Sequence, residues 1–324
     1  TDPWDHIEAL MGLTVDGRWA NAVAALQWLA DQQRSDGAWY AAYNDHGVVD
    51  DSRAETNFVA YVATGVWHYF LISGQRDVLR KFWPMVNRAI EFVLNQQADS
   101  GEIYWAVDKH QGTSKDALVT GCSSIYKSLE CALNIGTELD EERPAWRVAR
   151  QQLGNALRNH PELFDRTWAS KARYSMDWFY PVLGGVITDE AAQTRLLNRW
   201  DTFVKKDFGC RCVADQPWVT VAESCELVMA CVAAGLPNHA RQVFDDIAQH
   251  QRADGSWWTG YVFIEDLYWP DERPTWTAAA VLLAADALHD LTPGSKLFTS
   301  AANTLEHPKS SANLHGFEQS RGQR

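Results

Sequence analysis

A chain of 324 residues, 46% of them hydrophobic, can bury a large core, and its formal charge of −13 makes nucleic acid and anionic membrane poor partners. No run of 18 apolar residues marks a membrane span, no secretory signal is evident, and the six cysteines have no disulfide-framework spacing. A reduced, cytoplasmic protein is expected, either monomeric or a homo-oligomer. Sixteen tryptophans point to an aromatic-lined cavity or groove as well as a core, and a neutral, polyhydroxylated ligand suits that lining.

Helical periodicity dominates the chain. Asp2-Pro3 has the form of an N-cap followed by proline at the first helical position, opening a helix to residue 13. Further helices are predicted at about 17–33, 54–73, 76–97, 114–136, 141–157, 189–204, 219–234, 237–250 and 273–291. Residues 160–180 read as irregular, and no β-rich segment of any length is apparent. Past residue 292 the composition turns to Ser, Gly, Asn, Gln and Lys, so 293–324 is expected to be a mobile tail.

An internal repeat organises these helices. Gln32-Gln33-Arg34-x-Asp36-Gly37-x-Trp39 recurs as Gln249-x-Gln251-Arg252-x-Asp254-Gly255-x-Trp257, with a degraded copy at Gln96-Gln97-x-Asp99-x-Gly101 followed by Tyr104-Trp105. Each copy sits where a helix ends, with glycine to turn the chain and an aromatic returning into the fold. Helical hairpins repeating about every fifty to sixty residues predict an all-α, (α/α)6 barrel over residues 1–292, one domain, with its long loops gathered at one mouth.

Two of those loops carry dense acid–aromatic clusters. Residues 254–276 hold Trp257, Trp258, Trp269 and Trp276 around Glu265-Asp266, and residues 43–57 hold Tyr43 ahead of Asp50-Asp51. Long loops of this kind are commonly functional. One carboxylate from each loop, Asp50 and Glu265, could supply the pair that glycoside hydrolysis needs: one to protonate the leaving oxygen, the other to activate water or attack. Asp50 would otherwise be an ordinary acid near a helix N-terminus. Tyr43, Trp105, Trp178, Trp258 and Tyr268 are candidates to stack on sugar rings, and Asp51, Asp108, Asp177 and Asp266 to accept hydroxyl hydrogen bonds. Trp4, Asp5 and Glu8 open the first helix, with Asp5 and Glu8 on one face, and join the binding set. Glu223 and Glu226 face either the cavity or solvent. There is no H-E-x-x-H, C-x-x-C, phosphate loop, dinucleotide fingerprint or G-x-S-x-G elbow, so no metal and no cofactor are expected.

The Gln-x-Asp-Gly-x-Trp-like turns resemble the QW repeats of squalene–hopene cyclases and protein prenyltransferases, which are α/α barrels. Asp50-Asp51-x-x-x-Glu55 resembles an acidic metal–diphosphate motif, but the D-x-D-D acid of the cyclases is missing. More of the chain is similar to an actinobacterial "prenyltransferase-like" group akin to six-hairpin glycosidases such as glucoamylase. Asp2-Pro-Trp-Asp-His6, Glu55-Thr-Asn57, Gly101-Glu-Ile-Tyr-Trp105, Thr120-Gly-Cys-Ser-Ser-Ile-Tyr126 and Trp276-Thr-Ala-Ala-Ala-Val281 carry that likeness. It implies a cofactor-free hydrolase, endo-acting on an α-linked, methylated mannose polysaccharide, with Asp50 as general acid and Glu265 as general base by analogy. The rivals are a terpene cyclase or prenyltransferase, which would need a metal ion and an apolar interior, and a carbohydrate-binding barrel without activity.

Overall fold

In a computed structural model describing residues 1–299, six helices form an inner ring: α1 (Pro3–Val15), α3 (Thr56–Ser73), α5 (Val119–Glu138), α7 (Ser175–Leu183), α10 (Val221–Ala233) and α12 (Thr275–His289). Each packs against the next, and α1 packs against α12 to close the ring. Gly12 permits that closure, since a Cβ there would lie 2.5 Å from the Cβ of Ala279. Outside the ring lie α2 (Trp19–Gln32), α4 (Arg76–Leu94), α6 (Pro144–Asn159), α8 (Asp189–Asn198) with the short α9 (Trp200–Phe203), and α11 (Pro237–Ile247).

Residue pattern separates the two layers. Inner helix α3 is buried almost all round, from Thr56 to Leu71. Outer helix α4 buries a stripe, Leu79, Phe82, Trp83, Val86, Ala89, Ile90 and Val93, and leaves its charges outside. The described residues thus supply five complete inner–outer hairpins and the inner helix of a sixth, in line with the (α/α)6 expectation.

The repeat motif is a staple between outer helices. In the first copy, Gly37 (φ 95°) turns the chain, and Gln33 Nε2 donates to the carbonyls of Gly37 (2.8 Å) and of Met85 in α4 (3.0 Å). The degraded copy does the same: Gln97 Nε2 donates to Gly101 O (2.9 Å) and to Ala149 O in α6 (3.0 Å). A Cβ at Gly101 would lie 2.7 Å from the Gln152 carbonyl oxygen, so glycine is required by contact as well as by its φ of 104°.

Three sequence expectations change. Residues 160–180 contain the start of inner helix α7, whose nine residues, interrupted by Pro181, are too short and aromatic to show a helical period. Ten short strands occur, all in the long connections: β1 (Ala42–Asn44) with β2 (Gly47–Asp50); β3 (Arg53–Glu55), β4 (Ala106–Asp108) and β5 (Gly112–Ser114); and β6 (Val204–Lys205), β7 (Gly209–Arg211), β8 (Trp218–Thr220), β9 (Gly260–Val262) and β10 (Leu267–Tyr268). The last two sheets lace neighbouring connections together, β3 with β4 and β8 with β9, at the mouth. Finally, the expected tail does not begin at 293: Gly294, Leu297 and Phe298 are buried against the barrel, and the rest of that expectation, 300–324, lies outside the described residues. No described helix is long and apolar enough to cross a membrane.

Candidate active site

All six inner helices begin at the same end, and their first turns enclose a cavity of about 300 Å³. Helix α1 contributes Asp2, Trp4, Asp5 and Glu8; α3, Asn57 and Phe58; α5, Thr120; α7, Met176; α10, Ala222, Glu223 and Glu226; α12, Trp276 and Ala280. Five of these thirteen side chains are carboxylic acids and none is Lys or Arg. Helix N-termini carry partial positive charge, so six of them converging on one space offset part of the cost of that acidity.

The deepest acids are held by tyrosines. Tyr61 donates to Glu8 Oε1 (2.7 Å) and Tyr180 to Glu226 Oε1 (2.9 Å), while Trp4 Nε1 lies 3.4 Å from Glu8 Oε1. Trp4 stacks on Tyr61 at 4.8 Å and meets Tyr180 edge-on, so these aromatics fix both acids in place. Burial pushes the Glu8 carboxyl up to about 7, and burial, with the neighbouring charges of Glu8 and Glu223, also raises Glu226 well above its ordinary value. Asp5 also rises to about 7, through burial and then the charges of Asp2 and Glu8. Asp177, hidden behind the Thr120 hydroxyl, is raised to about 6 by burial and Asp165. A set of acids that keep protons near neutrality can donate hydrogen bonds to a sugar as well as accept them.

A rim stands above this floor. The β1–β2 hairpin carries Asp50, whose carboxyl is lowered from its ordinary value because Ser52 donates to it and Arg53 pairs with it at 3.2 Å. Arg53 also holds Glu55 at 2.7 Å and lies over the Trp105 ring. Asp51 pairs with Lys109, and Asp108 caps the turn at His110 and Gln111. In the connection before α12, the β9–β10 hairpin carries exposed Glu265 at its tip and Asp266 accepting from Tyr261 (2.5 Å), with Trp258, just ahead of it, stacked on Tyr268 at 4.9 Å.

Of the sequence candidates, Trp4, Asp5 and Glu8 line the cavity. Asp50, Asp51, Trp105, Asp108, Trp258, Glu265, Asp266 and Tyr268 stand on the rim connections, outside the cavity lining. Two assignments need correcting. Tyr43 (2% exposed) turns inward, its hydroxyl accepting from Tyr40 N, and Trp178 (1% exposed) packs flat on Phe203 with its indole N–H given to Arg195 O. Both are wall, not stacking surface, and Asp177 is a buried acid one layer behind. Asp2, Asn57, Phe58, Thr120, Met176, Ala222, Trp276 and Ala280 were missed. Their shared signal is position in the first turns of inner helices, legible only once the ring is known.

An acid-rich, aromatic mouth on an (α/α)6 barrel defines the class: a carbohydrate-active barrel. No family model matches the chain. It is 48% identical over 298 residues, 92% of this chain and 81% of the other, to an MMP endo-(1,4)-3-O-methyl-alpha-D-mannosidase of Mycolicibacterium hassiacum. The chain belongs to the family of that enzyme and is a glycoside hydrolase. Solved structures share the fold at low identity. A glycosidase bound to glucose matches with TM-score 0.67 at 15% identity, covering 90% of this chain and 88% of that one. A GH63 mannosylglycerate hydrolase from Thermus thermophilus matches with TM-score 0.66 at 13% identity, covering 87% and 92%. A sugar epimerase from a ruminal bacterium also matches, with TM-score 0.64 at 12% identity, covering 88% and 87%.

Proposed function

We propose that this enzyme cleaves internal α-1,4 linkages of a 3-O-methylmannose polysaccharide, seating one mannosyl ring in the mouth cavity. The observation that carries this reading is the cavity itself: one small, aromatic-walled space, edged by five acids, in a chain of this family. Its volume of about 300 Å³ lies at the small end of ligand sites, the size expected for a single ring rather than an oligosaccharide. Neighbouring sugars would run over the open rim. Six unpaired cysteines, five of them buried, fit a reducing cytoplasm.

In this reading the catalytic carboxyls are Asp50 and Glu265. What supports the pair is that their hairpins lead into α3 and α12, the two helices that flank α1 in the ring. Asp50 acts as general acid only after exchanging Arg53 for the glycosidic oxygen. If the ion pair persists, Asp50 stays ionised and the roles reverse, with Glu265 the acid. An activated aryl mannoside separates the two, because a good leaving group restores turnover to the variant lacking the acid and not to the one lacking the base. A second reading is favoured by the acid at the cavity wall pushed up to about 7: Asp5 as general acid, with Glu223, on the lining of the same cavity, as its partner. Under it, Asp5→Asn abolishes turnover while Asp50→Asn and Glu265→Gln retain it.

The functional test is incubation with methylmannose polysaccharide, unmethylated α-mannan and α-glucan, followed by chromatography of products. Oligosaccharides of intermediate length from the methylated glycan are expected. No product from any of the three, with turnover of a prenyl diphosphate, overturns the reading.

A further inference from the structure

The five-stranded sheet at the mouth has two unlike faces. Its register sets Trp218, Val262 and Leu267 side by side across β8, β9 and β10, and Cys210, Thr220 and Gly260 side by side across β7, β8 and β9. With Val204 on β6, every strand residue of that face is uncharged. The other face carries Lys205, Arg211, Tyr261 and Tyr268. It turns to the outer layer: Tyr261 and Tyr268 lie against His250, just after α11, and Gly209 abuts Ile247 of α11. The uncharged face therefore turns away from the outer helix. Two residues past Cys210, the Cys212 thiol donates to Glu223, so this face adjoins the cavity lining.

Its free row forms a shelf. The Trp218 indole lies over Gly260, where a Cβ would come within 2.5 Å of Nε1, and its N–H donates to Trp269 O (2.9 Å). Trp269, on the same face by alternation, meets Trp218 edge-on at 5.2 Å. Leu267 is 38% and Trp269 55% exposed, so this apolar surface stands open to a ligand instead of filling the core. Strand β8 runs straight into α10, which lines the cavity with Ala222 and Glu223. Trp218 is only about 10 Å along the chain from the start of that helix. A glycan with one ring in the cavity can lay a neighbouring ring on the shelf.

A methyl ether suits such a surface. Its oxygen has no proton to donate, and its methyl gains by leaving water, whereas a hydroxyl pressed onto indole and leucine loses its hydrogen bonds to water. The Trp218 N–H, already given to Trp269 O, is not free to replace them. We propose that Trp218, Leu267 and Trp269 form the subsite that reads the 3-O-methyl groups of the sugars next to the ring in the cavity. This rests on the methylmannoside reading above and puts the choice between methylated and plain mannan on the rim, in the connection that carries Glu265.

The experiment compares kcat/KM on two synthetic α-1,4-mannooligosaccharides of equal length, one 3-O-methylated and one not. Wild type should prefer the methylated glycan by about fourfold for each methyl that the shelf covers. Leu267→Ser and Trp269→Ser should each cut that preference severalfold, through KM on the methylated glycan, and the double variant should abolish it. Leu267→Met should retain it, and Leu291→Ser, at another exposed aliphatic just after α12, should leave both glycans unaffected. Both shelf positions are exposed, so melting temperature and sedimentation should stay as in wild type. The proposal is overturned if the double variant keeps the preference, if it slows both glycans equally, or if it converts a dimer to monomers, which would make the shelf a contact between copies. Equal wild-type rates on the two glycans also overturn it, and leave a glycoside hydrolase without methyl recognition. Cleavage of neither glycan by wild type removes the functional reading, and this one with it.

Discussion

The two ends of the barrel are built from the same helices and have little else in common. At the base, inner and outer helices are joined by residues 16–18, 74–75, 139–143, 184–188 and 234–236, short turns with no strand among them. At the mouth the connections are residues 33–55, 95–118, 160–174, 204–220 and 248–274, and all ten strands lie there or at their edges. Short turns suffice to reverse a chain. Long ones must satisfy their own backbone groups, which the small sheets do while leaving side chains free to face a ligand. Helix polarity adds a second difference. The inner N-termini make the mouth a place where acids are tolerated, and Asp2, Asp5, Glu8, Glu223 and Glu226 collect there.

This contrast breaks most visibly if mouth acids prove dispensable. Glu265→Gln and Asp50→Asn should each lower kcat by about two to four orders of magnitude, with the melting temperature unchanged. Near-full turnover in both would move the chemistry to the cavity wall. Stability should show the next largest effect, through two glycines at opposite ends. Gly37→Ala forces a side chain into the Arg88 carbonyl at φ 95°, whereas Gly74, at φ 64° on the base, has nothing within 4 Å of a new Cβ. A loss of about 2 kcal/mol or more at Gly37 against about 1 kcal/mol at Gly74 is expected in denaturant titrations. Equal losses would mean that the repeat does not fasten the outer layer.

A smaller effect concerns protons. Asp5 and Glu8 are pushed up to about 7 and Asp177 to about 6, each above the ordinary carboxyl value. Between pH 4 and pH 7 the native protein keeps protons that the unfolded chain has released. Stability from these groups is therefore fully present below the ordinary carboxyl range and is lost as pH rises through the raised values. The fall in melting temperature between pH 5 and pH 7 should be shallower in Glu8→Gln than in wild type, and an unchanged slope would place the Glu8 proton elsewhere. The smallest effect is none at all: a chelator should leave hydrolysis untouched, and its abolition would revive metal-dependent chemistry.

How much of this was legible in the residues depended on which end they serve. The Gln-Gly-Trp turns could be read because a staple needs a fixed residue at each of its positions, and they implied the barrel and its mouth. Trp4, Asp5 and Glu8 could be read because a proline-capped first helix sets their phase. Helix α7 could not, since nine residues around Pro181 show no period. The strands could not, since two to four residues carry no alternation to detect. Tyr43 and Trp178 share their neighbourhoods with acids, yet which way an aromatic turns is decided by residues far off in sequence, Trp28 in one case and Phe203 in the other. Glu223 and Glu226 were ambiguous for the same reason: on a helix buried all round, a cavity-facing acid and a solvated one look alike until the ring closes.

That closure, where Gly12 meets Ala279, also sets an order in time. A stack of helical hairpins open at both ends can consolidate from its first unit onward as the ribosome delivers it. Here the seam joins the first inner helix to the last, and the cavity takes its wall from both. The binding site comes into being only when α12 has been synthesised and docked, so a nascent chain stopped before residue 275 carries most of the barrel and none of a complete site.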